Sequence, residues 1–241
     1  MTYLPAIEIP TATSTSATAS IIWLHGLGAS GDDFAALVPE LKKLIAEDSF
    51  NSIRFIFPHA AHIPVTINGG YPMPAWYDIL DMPTQLTPEQ LANGNSAERQ
   101  LNQDQLLASV NDIHNLIDRE LERGISSERI LVLGFSQGGA VAYHAALTYP
   151  HTLAGLAGLS TYLPTLTAPH VFNPSSANKA IDIQIYHGNL DPVVNISLGK
   201  KAQSDLSHLG YKSQFHEYSM EHQVCYQQIQ NIAEWISTKL R

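Results

Sequence analysis

Residues 129–149 read RILVLGFSQGGAVAYHAALTY. An apolar run, Ile130 to Leu133, stops at Gly134, and an alanine-rich segment with helical spacing starts at Gln137. Between them, Gly134-Phe135-Ser136-Gln137-Gly138 fits G-x-S-x-G, with Gly139 following. In that context the pattern predicts a sharp strand-to-helix turn that projects the Ser136 hydroxyl from the edge of a sheet. Small neighbours are required because strand and helix approach closely there. The same turn sets the Gln137 N–H at a helix N-terminus, facing the place where an oxyanion would develop. Ser136 is therefore the candidate nucleophile.

Working outward, apolar strand-like runs alternate with helical patterns: SIIWLH (20–25), DFAALVPELKKLIAE (33–47), SIRFIFP (52–58), a helix near 103–123, LAGLAGLS (153–160), DIQIYHG (182–188), a helix near 197–209, KSQFHEY (212–218) and a final helix near 223–240. Such alternation predicts an α/β fold, a mostly parallel central sheet with helices on both faces. With 241 residues, 44% of them hydrophobic, the chain reads as one domain over 1–241, with 1–19 as a loose arm or an edge hairpin. Two Pro-, Gly- or Ser-rich segments, 61–98 and 161–179, break the rhythm, and long loops of that kind usually serve function.

Composition narrows the function. The formal net charge is −9 and no Lys/Arg block offsets it, so nucleic acid is not the expected partner. The one cysteine, Cys225, excludes an internal disulfide. The first twenty residues have neither a basic start nor an apolar core, so they do not read as a secretory signal. No apolar run is long enough for stable membrane insertion. The expected location is the cytoplasm.

A serine hydroxyl needs a base, and the base an orienting acid. On this kind of sheet the chain order is Ser, acid, His, which leaves only residues after Ser136. Asp191, in HGNLDPVV, follows a strand at the carboxyl edge, where ligands bind. Asp182 opens that strand at the wrong edge, Asp205 is helical and Glu217 lies in a strand. His222, in SMEHQV, lies on the loop between the last strand and the last helix. His151, His170 and His187 precede Asp191, His144 and His208 look helical, and His216 sits in a strand. Glu221, directly before His222, either faces the ring and favours its charged form or points to solvent.

The loop HGLGASG (25–31) matches G-x-G-x-x-G, the dinucleotide fingerprint. Asp32 and Asp33 stand where a diphosphate would dock, and no acidic residue ends the next strand, so no dinucleotide is expected. The glycines better serve to turn a main-chain amide toward the serine, and Leu27 is the expected second oxyanion donor beside Gln137. His59 and His62 are spaced H-x-x-H with no third ligand indicated, so no metal or other cofactor is expected. Ile67, Met73, Trp76, Tyr162 and Leu163 are expected to line an apolar groove for an acyl chain.

Taken together, IIWLHGLGASGDDF, RFIFPHA, PVTINGGYPMPAWYD, LGFSQGGAVAYHAAL, LSTYLP, HGNLDPVV and MEHQVC resemble the phospholipase/carboxylesterase family, whose members include bacterial carboxylesterases and acyl-protein thioesterases. The blocks run from about residue 20 to 226. The resemblance implies an α/β-hydrolase fold, Ser136, Asp191 and His222 as a triad, and Leu27 and Gln137 as oxyanion donors. It also implies cofactor-free hydrolysis of a small acyl ester, a lysophospholipid or an acyl-thioester. Residues 80–103 and 164–179 look longer or more polar than that pattern. A non-catalytic binding module or a serine peptidase on the same fold are the competing readings.

Overall fold

The central strands, at 19–24, 130–135 and 155–159, are short runs buried along both alternate sets of side chains, the signature of strands covered on both faces. The structure is a computed structural model and describes residues 3–10, 16–82 and 99–241. In chain order the strands are β1 (Ala6–Ile9), β2 (Ala19–Leu24), β3 (Ile53–Pro58), β4 (His62–Val65), β5 (Tyr71–Pro74), β6 (Ile79–Asp81), β7 (Gln100–Leu101), β8 (Ile130–Phe135), β9 (Gly155–Leu159), β10 (Ile183–Gly188) and β11 (Ser213–Tyr218). The helices are α1 (Gly31–Ala35), α2 (Val38–Leu44), α3 (Glu47–Phe50), α4 (Gln103–Glu122), α5 (Gln137–Thr148), α6 (Ile196–His208) and α7 (Tyr226–Lys239).

Seven strands form one sheet in the order β1-β3-β2-β8-β9-β10-β11. All neighbours are parallel except β1, which runs antiparallel to β3 with Ile7 opposite Phe57. The N-terminal segment, expected as a loose arm or an edge hairpin, thus supplies an edge strand that skips its sequence neighbour β2. Two small antiparallel ribbons, β4–β5 and β6–β7, lie outside the main sheet.

The sheet divides two apolar cores. Ile22, Leu24, Ile56, Val132 and Leu156 face one core with α4 and α5, while Ile21, Trp23, Phe55, Leu131 and Leu133 face the other with α2 and α7. In α4, Leu106, Val110, Ile113 and Ile117 form the buried stripe, and the Asn102 side chain caps the helix by accepting from the Gln105 N–H at 3.1 Å. The single helix expected over 33–47 is broken into short pieces. Pro39 has no N–H and its ring collides with the carbonyl four residues back, so the chain restarts as α2 with the proline in its first turn.

Several histidines are buried in the uncharged form. In α5, His144 packs edge-on against Phe172, with centroids 4.8 Å apart, and its Nε2–H donates to the Pro164 carbonyl at 3.0 Å. Burial depresses its pKa from 6.5 to about 4. Burial also lowers His25, His114 and His187. A histidine with a depressed folded pKa gives its full stability above the unfolded value near 6.5, and loses it as pH falls toward the folded value. For His144 alone this is about 3 kcal/mol between neutral pH and pH 4. The melting temperature should therefore drop steeply over that window. In a pH series, His144→Gln should flatten the slope; an unchanged slope would remove His144 as a source of it.

Candidate active site

The site lies at the carboxyl edge of the sheet and begins with the turn between β8 and α5. Ser136 has φ 52 and ψ −121, a region that non-glycine residues enter only under strain. The surroundings hold it there. Its N–H donates to the Leu159 carbonyl at 2.8 Å, and its own carbonyl accepts from the Gly139 N–H at 3.0 Å and the Thr161 hydroxyl at 2.6 Å. The glycines are fixed by close approach: a Cβ on Gly134 would overlap the Gly138 carbonyl, and one on Gly138 would overlap the carbonyl of His25.

The loops after β10 and β11 bring the other two residues to it. Asn189 N–H donates to the Tyr218 carbonyl at 2.9 Å and Leu190 N–H to the Met220 carbonyl at 3.1 Å, which fastens the Asp191 loop to the His222 loop. The His222 ring packs on Phe135 with centroids 4.7 Å apart. Its Nδ1 lies 2.7 Å from Asp191 Oδ2, and its Nε2 lies 2.9 Å from Ser136 Oγ. Asp191 Oδ1 accepts two main-chain N–H groups, from Val193 and Val194, each at 2.8 Å. Burial pushes the Asp191 carboxyl up, but the hydrogen bond from His222, the two main-chain donors and the imidazole's charge outweigh it and hold the pKa below the ordinary carboxylate value. An ionised carboxylate only accepts, so Nδ1 carries the imidazole proton. Nε2 is then left to accept from the Ser136 hydroxyl.

Glu221 is exposed, with no side-chain hydrogen bond among the described residues, and its carbonyl accepts from the Gln223 N–H at 2.9 Å. Behind Asp191, the buried His187 donates from Nε2 to the Val194 carbonyl at 2.8 Å. The alternatives weighed in the sequence lie elsewhere: Asp182 accepts from the Trp235 indole at 3.0 Å, and His216 bonds the Gln184 side chain at 2.8 Å.

The loop after β2 packs directly on the serine, and a Cβ at Gly26 would sit 3.4 Å from Ser136 Cβ. His25 accepts the Ala60 N–H on Nε2 at 3.0 Å, so its Nδ1–H donates to the Gly26 carbonyl at 2.7 Å. Its carbonyl takes the Trp76 indole N–H at 2.8 Å, and Gly28 N–H donates to the Pro74 carbonyl at 2.8 Å. The Gln137 side chain accepts from the Trp76 N–H at 2.9 Å and donates to the Tyr77 carbonyl at 2.7 Å. Three chain segments, 25–28, 74–77 and 136–137, are thus cross-linked around the serine. Leu27 and Gln137 border the cleft with Ser136, and neither main-chain N–H donates a hydrogen bond among the described residues.

A cleft of about 450 Å³ opens above Ser136 and His222. Of the five residues expected to line it, Ile67 does so. Trp76 is buried, held by the His25 carbonyl, and borders a separate hollow with Leu4 and Ile63. Met73 pairs with Ile63 in the β4–β5 ribbon and takes the Asn68 side-chain N–H on its sulfur at 3.3 Å. Tyr162 is buried with its hydroxyl 2.6 Å from that of Tyr77, and with Leu163 it lines a smaller neighbouring hollow. Apolar side chains dominate the cleft wall, among them Phe34, Leu37, Ile79, Val193 and Val224. None of these five residues is among those expected from the sequence to line the groove. Val193 and Val224 each stand two residues beyond Asp191 and His222, and Phe34 and Leu37 have i, i+3 spacing after the glycine loop, which was the available signal. Of the two segments noted as long or polar, residues 83–98 lie outside the described residues.

His59 accepts the Gly31 N–H at 3.2 Å, and no cluster of three or more metal-ligating side chains is present among the described residues. No helix among them is long and apolar enough to cross a membrane.

Comparison with known proteins follows the same lines. An acyl-protein thioesterase 1 of Neurospora crassa is 34% identical over 227 residues, which cover 92% of this chain and 87% of the relative. One from Schizosaccharomyces pombe is 40% identical over 181 residues, covering 75% and 72%. Among solved structures, Arabidopsis thaliana SOBER1 superposes with a TM-score of 0.80 at 29% identity, covering 94% of this chain and 100% of that one. Zea mays acyl-protein thioesterase 2 gives 0.76 at 25% identity, covering 99% and 100%. The family profile described as phospholipase/carboxylesterase matches residues 6–240, almost the whole α/β-hydrolase unit, so the chain belongs to the phospholipase/carboxylesterase family.

Proposed function

We propose that the protein is a serine hydrolase of acyl esters and thioesters, working through Ser136, His222 and Asp191. Membership of a family of ester hydrolases, and relatives named acyl-protein thioesterases, support the reaction class. The hydrogen-bonded line from the Ser136 hydroxyl through His222 to the Asp191 carboxylate carries the mechanism.

His222 Nε2 removes the Ser136 proton as Oγ attacks the acyl carbonyl. The Asp191 carboxylate holds the ring orientation and offsets the charge that forms on it. The Leu27 and Gln137 amides receive the developing oxyanion; donors already fixed in place stabilise it without reorganisation. His222 then protonates the departing alcohol or thiol, leaving the acyl group on Ser136. Water takes the leaving group's place and gives a proton to His222, which passes it to Ser136 Oγ as the acyl–serine bond breaks and the acid leaves. The apolar wall formed by Phe34, Leu37, Ile79 and Val224 receives the acyl chain, and a lysophospholipid or an acylated protein are the substrate classes with such a chain.

A fluorophosphonate probe tests the nucleophile, and a panel of p-nitrophenyl esters of rising chain length, run beside an acyl-thioester, tests the substrate class. Labelling on Ser136 and kcat/KM rising from acetate to medium chains are the expected results. Absence of labelling in the wild type, or equal labelling of Ser136→Ala, would favour a non-catalytic binder.

A further inference from the structure

Among the described residues the cleft wall carries one guanidinium. Arg99 borders the same cavity as Ser136 and His222 and is half-buried. Its position is fixed from two sides. Nη2 donates to the Val193 carbonyl at 2.5 Å, and the guanidinium stacks over the Tyr162 ring at 4.8 Å, with the Tyr162 hydroxyl itself tied to Tyr77. No carboxylate lies within ion-pair distance of Arg99 among the described residues. Among the described residues the acid that borders the cleft, Asp33, is solvent-exposed, where its charge is screened. In a chain of net charge −9, the cleft therefore presents a preorganised, partly desolvated cation whose remaining N–H groups have no carboxylate partner among the described residues.

From this placement we infer that Arg99 is a specificity-determining residue which binds a phosphate or carboxylate on the leaving alcohol or thiol of the substrate. The inference rests on the hydrolase reading above. The acyl chain takes the apolar wall, so the charged part of a substrate must belong to the leaving group. A guanidinium suits it because its planar donors match the oxygens of a phosphate or carboxylate in pairs.

Two matched pairs test it: 1-decanoylglycerol against 1-decanoylglycerol 3-phosphate, and the decanoyl thioester of mercaptoethanol against that of mercaptopropionate. A charge-assisted hydrogen bond of the usual strength predicts that Arg99→Met lowers kcat/KM for the anionic partner about 10- to 100-fold. The neutral partner should stay within about twofold, and Arg99→Lys should keep part of the anionic rate. Loss in the phosphate pair alone assigns a phosphate; loss in both pairs assigns either small anion. A parallel fall for neutral and anionic partners would overturn the inference and leave Arg99 as a clamp on the Val193 loop, and no change in either pair would also overturn it. Wild-type protein that cleaves none of the four compounds would instead overturn the hydrolase reading itself.

Discussion

Ser136→Ala should lower kcat/KM toward a p-nitrophenyl ester by on the order of 10⁶, the loss expected when a nucleophile that acts as a unit with its base is removed. The turn is built to present this one oxygen. Its backbone is held in a sparsely populated conformation by a bond to the Leu159 carbonyl and bonds from Gly139 and Thr161, and its hydroxyl is the group within reach of His222 Nε2. Alanine keeps the backbone partners and removes only Oγ, so the melting temperature should stay within a few degrees of wild type. Activity within about tenfold of wild type would place the chemistry elsewhere.

Asp191→Asn should cost about 10⁴ in kcat/KM at neutral pH, less than the loss of the serine. The asparagine oxygen can still accept from the Val193 and Val194 amides, which leaves its NH₂ facing His222 Nδ1. That nitrogen must then accept, the proton moves to Nε2, and the ring no longer has a lone pair for the Ser136 hydroxyl. The geometry survives and the proton is on the wrong atom. Parallel kinetics on Ser136→Ala, Asp191→Asn and wild type check the order. An Asp191→Asn enzyme as active as wild type would remove the carboxylate from the proposed mechanism.

The parts of this molecule that could be read from the sequence are those set by neighbours along the chain. The strand, turn and helix around Ser136 follow from a local pattern of apolar, glycine and alanine residues. The carboxyl-edge positions of Asp191 and His222 follow from where two strands end. What escaped reading depends on distant partners. The edge strand Ala6–Ile9 pairs with Ile53–Pro58, across the whole of β2, and nothing within 1–19 announces that partner. The apolar neighbours of Trp76 suit core or groove wall equally, and its indole N–H, taken by a carbonyl 51 residues earlier in the chain, puts it in the core. Arg99, a lone arginine in a polar segment, reads as a solvated surface residue until the fold lays it over Tyr162.

The cross-links among 25–28, 74–77 and 136–137 are directional polar bonds, whereas the wall proposed to receive an acyl chain is made of aliphatic and aromatic side chains. The two halves of the cleft consequently differ in evolvability. Hydrogen bonds fail over fractions of an ångström, so substitutions around the serine meet steep selection. Apolar packing accepts changes of shape when volume is kept, so under the proposed function substitutions at Phe34, Leu37 or Val224 can change the chain length accepted while the hydrogen-bonded frame around the serine stays intact.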